Sequence, residues 1–168
     1  MLNMNGPVKL VSYEMAGQTV VVTGGTKGIG KAIALGFGQC GANVVVAGRH
    51  EDECVAVAQE VTEAGGHGKG IRTDVRKIDE IDALIAGTVE AFGGVDVLIN
   101  CAGVAITKKI LDLDVKDYDM VMETNLRSVL FAADETPYSR LAVENIKEAI
   151  ETSLDKGTQR KTTENELP

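Results

Sequence analysis

Short apolar runs alternate along the chain with longer segments whose apolar residues recur every three or four positions. The β-branched runs at 18–25 and 43–48 end in glycine, a weaker run occupies 69–73, and a fourth occupies 95–103. Continuous apolar runs of this length are typical of strands buried on both faces of a parallel sheet. The pattern therefore predicts four such strands.

The segments between the runs predict amphipathic helices. The last of them begins after Asp114, a suitable N-cap residue, and continues to Ala133. The clearest helix lies within 78–94, where the expected core-facing stripe consists of Ile78, Ile81, Ile85, Val89 and Phe92. Four strand–helix repeats predict an α/β fold, with a parallel sheet, right-handed crossovers and helices on both faces.

The chain changes character near residue 134. Of its 19 glycines, only Gly157 follows Asp134, and no further apolar β-branched run occurs. One more amphipathic helix is expected, with Val143, Ile146, Ile150 and Leu154 on one face. The segment at 158–168 has the polar composition of a disordered region. The tail at 134–168 therefore offers a helix where a continuing sheet needs a fifth strand.

Composition argues against several functions. The net charge of −8 argues against a general basic surface for nucleic acid. Cys40, Cys54 and Cys101 are odd in number and lack C-x-x-C spacing, so neither a disulfide framework nor a zinc site is expected. No apolar run reaches the length of a membrane span, and the N-terminus lacks the pattern of a secretion signal. We expect a cytoplasmic protein without nucleic-acid or membrane partners.

A glycine-rich turn, Thr23-Gly24-Gly25-Thr26-Lys27-Gly28-Ile29-Gly30, joins the first strand to the first helix. Gly24 permits a tight exit from the strand, Gly28 lets a diphosphate approach the backbone, and Gly30 allows close packing of helix on strand. The helix N-terminus behind the turn supplies free N–H groups and a positive dipole end. A purely structural turn would use the same glycines, but the position between a buried strand and a helix favours a nucleotide site.

The end of the second strand indicates which dinucleotide is bound. Sites for NAD usually place Asp or Glu there to bind the ribose hydroxyls, whereas this chain has Gly48-Arg49. A guanidinium suits a 2′-phosphate, and Lys27 adds a second positive charge. Either cation alone is equally well explained as an ordinary solvated side chain. Together they favour NADP over NAD.

Three separated motifs carry a family resemblance. "TGGTKGIG" at 23–30, "NCAG" at 100–103 and the "TNL" at 124–126, in this order, resemble the short-chain dehydrogenase/reductase family. The branch that holds 3-oxoacyl-carrier-protein reductases is the most similar. The resemblance covers about residues 18–133 and implies a three-layer Rossmann-like sheet with strand order 3-2-1-4. We therefore divide the chain into an N-terminal extension (1–17), an NADP-binding Rossmann half (18–133) and a divergent tail (134–168).

The resemblance also implies roles for individual residues. Arg49 would face the adenosine 2′-phosphate with help from Lys27, Asp74 and Val75 would contact the adenine, and Asn125 would kink its helix and anchor a water of the proton relay. Asn125 would otherwise be read as a solvated asparagine in a helix. The diphosphate region would be held by Gly24, Thr26, Gly28, Ile29 and Gly30. The cofactor cleft would be lined by Asn100, Ala102 and Gly103, with Cys101 in place of a frequent asparagine.

The family's reaction moves a hydride between the nicotinamide and a carbonyl or alcohol carbon. A tyrosine transfers the proton, and a lysine four residues later lowers its pKa, because an unperturbed tyrosine is a poor base at neutral pH. Gly17, Met122 and Ala142 occupy that position after Tyr13, Tyr118 and Tyr138, so no Y-x-x-x-K pair is present.

Two functions follow as hypotheses. The first is an NADP-dependent oxidoreductase acting on a small carbonyl or alcohol substrate, here truncated and weakly active or inactive. The second is a non-catalytic nucleotide-binding or dimerisation module that associates with full-length relatives. Family members usually form dimers or tetramers, so we expect a homo-oligomer or an association with related chains.

Overall fold

The computed structural model describes residues 14–134, which form a parallel sheet with helices on both faces. The strands are β1 (Thr19–Thr23), β2 (Asn43–Gly48), β3 (His67–Arg72) and β4 (Val97–Asn100), in the order β3-β2-β1-β4. The helices are α1 (Gly28–Gln39), α2 (Glu51–Glu63), α3 (Ile78–Phe92), α4 (Val115–Met122) and α5 (Ser128–Asp134). The predicted α/β class and strand order are confirmed. No helix in residues 14–134 has the length and apolar character needed to cross a membrane.

The valine runs of β1 and β2 fill two separate core layers. Side chains alternate between the two faces of a strand, so consecutive valines point in opposite directions. One layer holds Val20, Val22, Val44 and Val46 together with residues of α1 and α2. The other holds Val21 and Val45 with Leu84 and Ile85 of α3 and with Val95. Because both faces are covered, neither run contains a charged residue.

Two glycines explain why β3 gives a weak strand signal. A Cβ on Gly68 would lie 1.8 Å from the carbonyl oxygen of Ala58, and one on Gly70 would lie 2.6 Å from the carbonyl carbon of Cys54. The backbone of α2 therefore lies directly on these two positions of the strand. Side chains of the kind that raise strand propensity are excluded there by packing.

The core-facing stripe predicted for α3 is partly wrong. Ile81, Leu84 and Ile85 are buried, whereas Ile78 and Val89 are 38% and 43% exposed. The helix presents Leu84 to the sheet together with Ile81 and Ile85, so the contact face is shifted from the predicted stripe, whose Phe92 still packs against the core. Ile78 and Val89 consequently flank the core rather than enter it.

Strand β4 is shorter and less buried than predicted. The run at 95–103 forms a strand only over Val97–Asn100, and Val97, Leu98 and Ile99 are half-buried. Within residues 14–134, β4 pairs with β1 alone, so its outer edge is open in this region. The half-burial follows from that edge position.

The helix predicted to begin after Asp114 is confirmed and contains a local irregularity. The carboxylate of Asp114 accepts a hydrogen bond from the backbone N of Asp117 at 2.9 Å, and the Asp117 carboxylate accepts one from the Asp114 N at 3.2 Å. This reciprocal pair is a capping box. Helix α4 then continues through a π-helical segment, Glu123–Arg127, into α5. Such segments are frequent at functional sites.

Several predictions lie outside the described residues. They are the helix with Val143, Ile146, Ile150 and Leu154, the disorder at 158–168, nearly all of the tail, and residues 1–13 of the N-terminal extension.

Candidate functional site

The carboxyl ends of the four strands meet at one edge of the sheet. In the register, Thr23 pairs with Ala47 and Asn100, and Gly48 pairs with Arg72. A cleft of about 420 Å³ opens at this edge. It lies where β1 has β2 on one side and β4 on the other, so that neighbouring crossovers leave in opposite directions. Ligands of open α/β sheets bind at such a position.

Two glycines of the turn after β1 are required by close packing. Gly24 has a φ of +66°, and a Cβ there would lie 2.7 Å from the Cα of Ala102. A Cβ on Gly30 would lie 2.3 Å from the carbonyl oxygen of Gly24. The turn therefore packs closely against the start of α1 on one side and against the segment that follows β4 on the other.

Gly28 differs from these two glycines because no atom lies within 4 Å of its ideal Cβ position. Its φ of +54° favours glycine, and the space beside it is open. Helix α1 begins at this residue without a side-chain cap and without an acidic residue in its first turn. The first N–H groups of an α-helix have no intrahelical partner, and the open space beside Gly28 suits an anionic group such as a diphosphate.

Thr23 fixes the position of the segment after β4. Its hydroxyl accepts hydrogen bonds from the N–H groups of Cys101 and Ala102 at 3.3 and 3.4 Å and donates to the carbonyl of Ile99 at 3.4 Å. The Gly25 N–H donates to the carbonyl of Ala47 at 3.1 Å. Thr23 and the glycine turn are thus hydrogen-bonded both to β2 and to the segment that follows β4.

The charged residues of the cleft are divided between paired and unpaired groups. The Nζ of Lys27 lies 2.6 Å from Oε1 of Glu53, and this ion pair connects the glycine turn to the first turn of α2. The hydrogen bond from Lys27 lowers the pKa of Glu53. Arg49 is exposed and forms no ion pair with any residue in 14–134. Its guanidinium therefore remains available to an anion.

Asp74 and Glu80 organise the loop after β3. The Nη2 and Nε of Arg76 donate to the Asp74 carboxylate at 2.6 and 3.0 Å. These bonds are the main reason why the pKa of Asp74 is lowered to about 2. The Glu80 carboxylate accepts from the backbone N–H of Asp74 at 2.7 Å, the largest cause of a pKa of about 2 for Glu80. The loop therefore reaches the cleft with a fixed conformation.

Asn125 connects the π-helical segment to the segment after β4. Its Nδ2 donates to the carbonyl oxygen of Val104 at 2.8 Å, and its Oδ1 accepts from the Val104 N–H at 2.9 Å. Val104 and the nearby Thr124 line the cleft, whereas Asn125 itself does not. Asn125 thus holds a wall of the cleft through two bonds to one backbone position. Its predicted role in a proton relay stays a prediction.

The structure brings most of the predicted site residues to one place. The cleft is lined by Gly24, Thr26, Lys27, Arg49, Asp74, Val75, Ala102 and Gly103. Gly28, Ile29 and Gly30 lie at the start of α1 beside it, and Asn100 is the last residue of β4. The roles assigned to these residues stay predictions.

The cleft also contains residues that the sequence argument did not select. They are His50, Glu53, Thr73, Arg76, Val104 and Met120, while Gly48, Cys101 and Thr124 were already noted as parts of motifs or strand ends. Arg76 and Glu53 lie within a few residues of selected positions, so a search for charges around each strand end would have found them. Met120 is brought in by the path of α4, which no local pattern indicates. In residues 14–134, no group of His, Cys, Asp and Glu side chains is arranged to hold a metal.

Comparison with known proteins gives consistent matches. The family model for short chain dehydrogenases matches residues 18–139. The chain is 38% identical over 121 residues to glucose 1-dehydrogenase of Gluconobacter oxydans, covering 71% of this chain and 46% of that protein. It is 39% identical over 117 residues to 3β-hydroxysteroid dehydrogenase of Mediterraneibacter gnavus, covering 69% and 42%. The chain thus spans about half the length of the curated relatives it matches.

Solved structures of similar proteins also superpose on this chain. A metagenomic short-chain oxidoreductase in complex with NADP superposes with a TM-score of 0.72 at 32% identity, covering 77% of this chain and 59% of that chain. The NADH-dependent reductase A1-R′ complexed with NAD superposes with a TM-score of 0.71 at 33% identity, covering 80% and 57%. The structural relatives therefore include proteins with either dinucleotide.

Proposed function

The chain belongs to the short chain dehydrogenase family, and from this premise we propose that its cleft binds NADP(H) in preference to NAD(H). The observation that carries the proposal is Arg49, an exposed guanidinium at the end of β2 that lines the cleft without an ion-pair partner in residues 14–134. A 2′-phosphate is a fitting partner for such a group, since a guanidinium forms two charge-assisted hydrogen bonds to it.

The glycine turn supports the diphosphate part of the proposal. The open space beside Gly28 accepts a ligand group without displacing protein atoms. The uncapped first turn of α1 offers N–H donors and the positive end of the helix dipole. The residues present therefore fit a dinucleotide. When bound, the dinucleotide supplies or accepts a hydride, and the protein supplies its orientation.

The chain's own residues would act mainly by binding and positioning. Arg49 would hold the 2′-phosphate, and the buried Asp74, fixed by Arg76, would present a rigid surface to the adenine. Asn125 would hold in place the Val104 segment, which lines the cleft.

For the whole protein we propose hydride transfer between NADP(H) and a carbonyl or alcohol substrate. The residues in this sequence include no tyrosine with a lysine four positions later. We therefore expect this chain alone to turn such substrates over slowly or not at all.

The test is a fluorescence titration with NADPH and with NADH, together with an assay of NADPH oxidation on a panel of ketones. The expected result is saturable binding that is tighter for NADPH, with little or no turnover. Arg49→Met should weaken NADPH binding by about tenfold or more, the loss expected for hydrogen bonds to a charged group, and should leave NADH binding unchanged. Equal affinity for both dinucleotides in the wild type would contradict the preference. Binding by neither would contradict the cofactor assignment.

A further inference from the structure

We propose that Glu53 limits the preference of this cleft for 2′-phosphorylated dinucleotides by holding Lys27 and by placing a carboxylate beside the phosphate position. The inference rests on the proposed function, because it concerns the site at which Arg49 would hold that phosphate. It assigns a specificity-determining role to a residue that no motif indicates.

The first observation is the ion pair between Lys27 and Glu53. Lys27 Nζ and Glu53 Oε1 are 2.6 Å apart, and the Lys27 side chain is 75% exposed while that of Glu53 is 29% exposed. Both residues line the cleft together with Arg49. One donor of the Lys27 ammonium is therefore directed at Glu53 rather than at a ligand. Of the two cations that favour NADP in the sequence, only Arg49 is unpaired in the described region.

The carboxylate also acts on the ligand directly. Lys27 lowers the pKa of Glu53, so Glu53 carries a negative charge at neutral pH. A 2′-phosphate in the same part of the cleft would bring up to two further negative charges close to it. Like charges at such a position repel, and the repulsion is moderate because solvent reaches the site. NAD(H), which has hydroxyl groups there, does not meet this penalty.

A structural role for Glu53 gives a different expectation. Acidic residues occupy all three first positions of α2, Glu51, Asp52 and Glu53, where they interact favourably with the helix dipole. If this were the whole function of Glu53, its removal would change helix stability and leave the discrimination between the two dinucleotides unaltered. Asp52 provides the matched control, because it is exposed, shares the same helical turn and does not line the cleft.

The experiment compares wild type, Glu53→Gln and Asp52→Asn in titrations with NADPH, NADH, adenosine 2′,5′-bisphosphate and AMP. Glu53→Gln should tighten binding of NADPH and of the bisphosphate by about three- to tenfold, the range for one charge removed at a solvent-exposed site. Binding of NADH and AMP should change by less than about twofold on the same grounds. Asp52→Asn should change all four affinities little and equally. Urea unfolding of each variant checks that the fold is retained.

A second pair of variants tests the part played by Lys27. Lys27→Met leaves the Glu53 carboxylate without its cation, so NADPH binding should weaken while NADH binding changes by less than about twofold. Adding Glu53→Gln to Lys27→Met removes that carboxylate and should restore part of the NADPH affinity. No recovery of NADPH binding in the double variant, or equal effects of Glu53→Gln on NADPH and NADH, would overturn the inference alone. If neither wild type nor Glu53→Gln bound NADPH or the bisphosphate, the cofactor proposal would fall together with it.

Discussion

The side-chain amide of Asn125 forms both of its hydrogen bonds with one residue, donating to the Val104 carbonyl at 2.8 Å and accepting from the Val104 N–H at 2.9 Å. The contact joins a π-helical segment to the chain that follows β4. It fixes a wall of the cleft without requiring Asn125 to enter it.

Asn125→Ala removes both bonds and should lower the free energy of unfolding by about 1 kcal/mol, since the Val104 groups regain water as a partner. Asn125→Asp keeps an acceptor for the Val104 N–H but faces the Val104 carbonyl with a carboxylate oxygen, so it should also be destabilising. Both variants should weaken NADPH binding several-fold. Urea unfolding and NADPH titration measure these effects. Lys116→Ala, on the exposed surface of α4, is the control, and an Asn125→Ala variant indistinguishable from it would contradict the positioning role.

The packing of α2 on β3 predicts strongly unequal effects of two glycine substitutions. A Cβ on Gly70 would lie 2.6 Å from backbone atoms of Cys54 and Val55, so Gly70→Ala should destabilise the fold by about 1–3 kcal/mol or more. Gly36, within α1, has no atom within 4 Å of its ideal Cβ. Gly36→Ala should be stabilising by about 0.5–1 kcal/mol, because alanine loses less backbone entropy in a helix. Urea midpoints of the two variants test this, and a neutral Gly70→Ala would show that α2 is not seated on β3 as described.

The depressed pKa values in the loop after β3 predict a loss of stability in acid. Asp74 and Glu80 each have a pKa of about 2 in the folded protein, against ordinary values of 3.8 and 4.5. The folded state therefore binds these protons less readily than the unfolded chain. The stabilisation is present above about pH 4.5 and is lost as the pH falls toward 2.

Glu80→Gln should consequently be less stable than wild type at pH 7, and the difference should shrink between pH 4.5 and 2. Urea unfolding across this range measures the difference. Glu90→Gln, at an exposed position of α3, should follow the wild-type curve closely. A difference between Glu80→Gln and wild type that stayed constant with pH would rule out the electrostatic explanation.

The Cys54 thiol should be unreactive in the folded protein. Burial, chiefly, raises its pKa to about 11, and its Sγ lies 3.5 Å from the Gly48 carbonyl, to which it donates. Thiolate is the reactive form, so little of it is present near pH 8. In a variant with Cys40→Ser and Cys101→Ser, a thiol reagent should label Cys54 only on addition of urea. Rapid labelling in buffer would contradict the buried position.

Much of the fold could be predicted because the relevant signals are local. Val20–Val22 and Val44–Val46 are uniformly apolar since both faces of their strands are covered, and Asp114 marks a helix start through its own carboxylate. The β3 signal was weaker because Gly68 and Gly70 are chosen by the proximity of α2, which is a tertiary contact. The error in the α3 stripe has the same origin, since periodicity gives an apolar face but not the angle at which a helix meets the sheet.

The sequence by itself determined the order of strands and helices, the glycine turn, the cations Lys27 and Arg49, and the absence of a Tyr–Lys pair at the expected spacing within these 168 residues. Those features depend on residue type and spacing along the chain. Only the tertiary structure decided that Lys27 is paired with Glu53 while Arg49 has no ion-pair partner within residues 14–134, and that Asn125 binds Val104. These relationships join residues from different elements, and they depend on how the helices cross the sheet rather than on any local pattern.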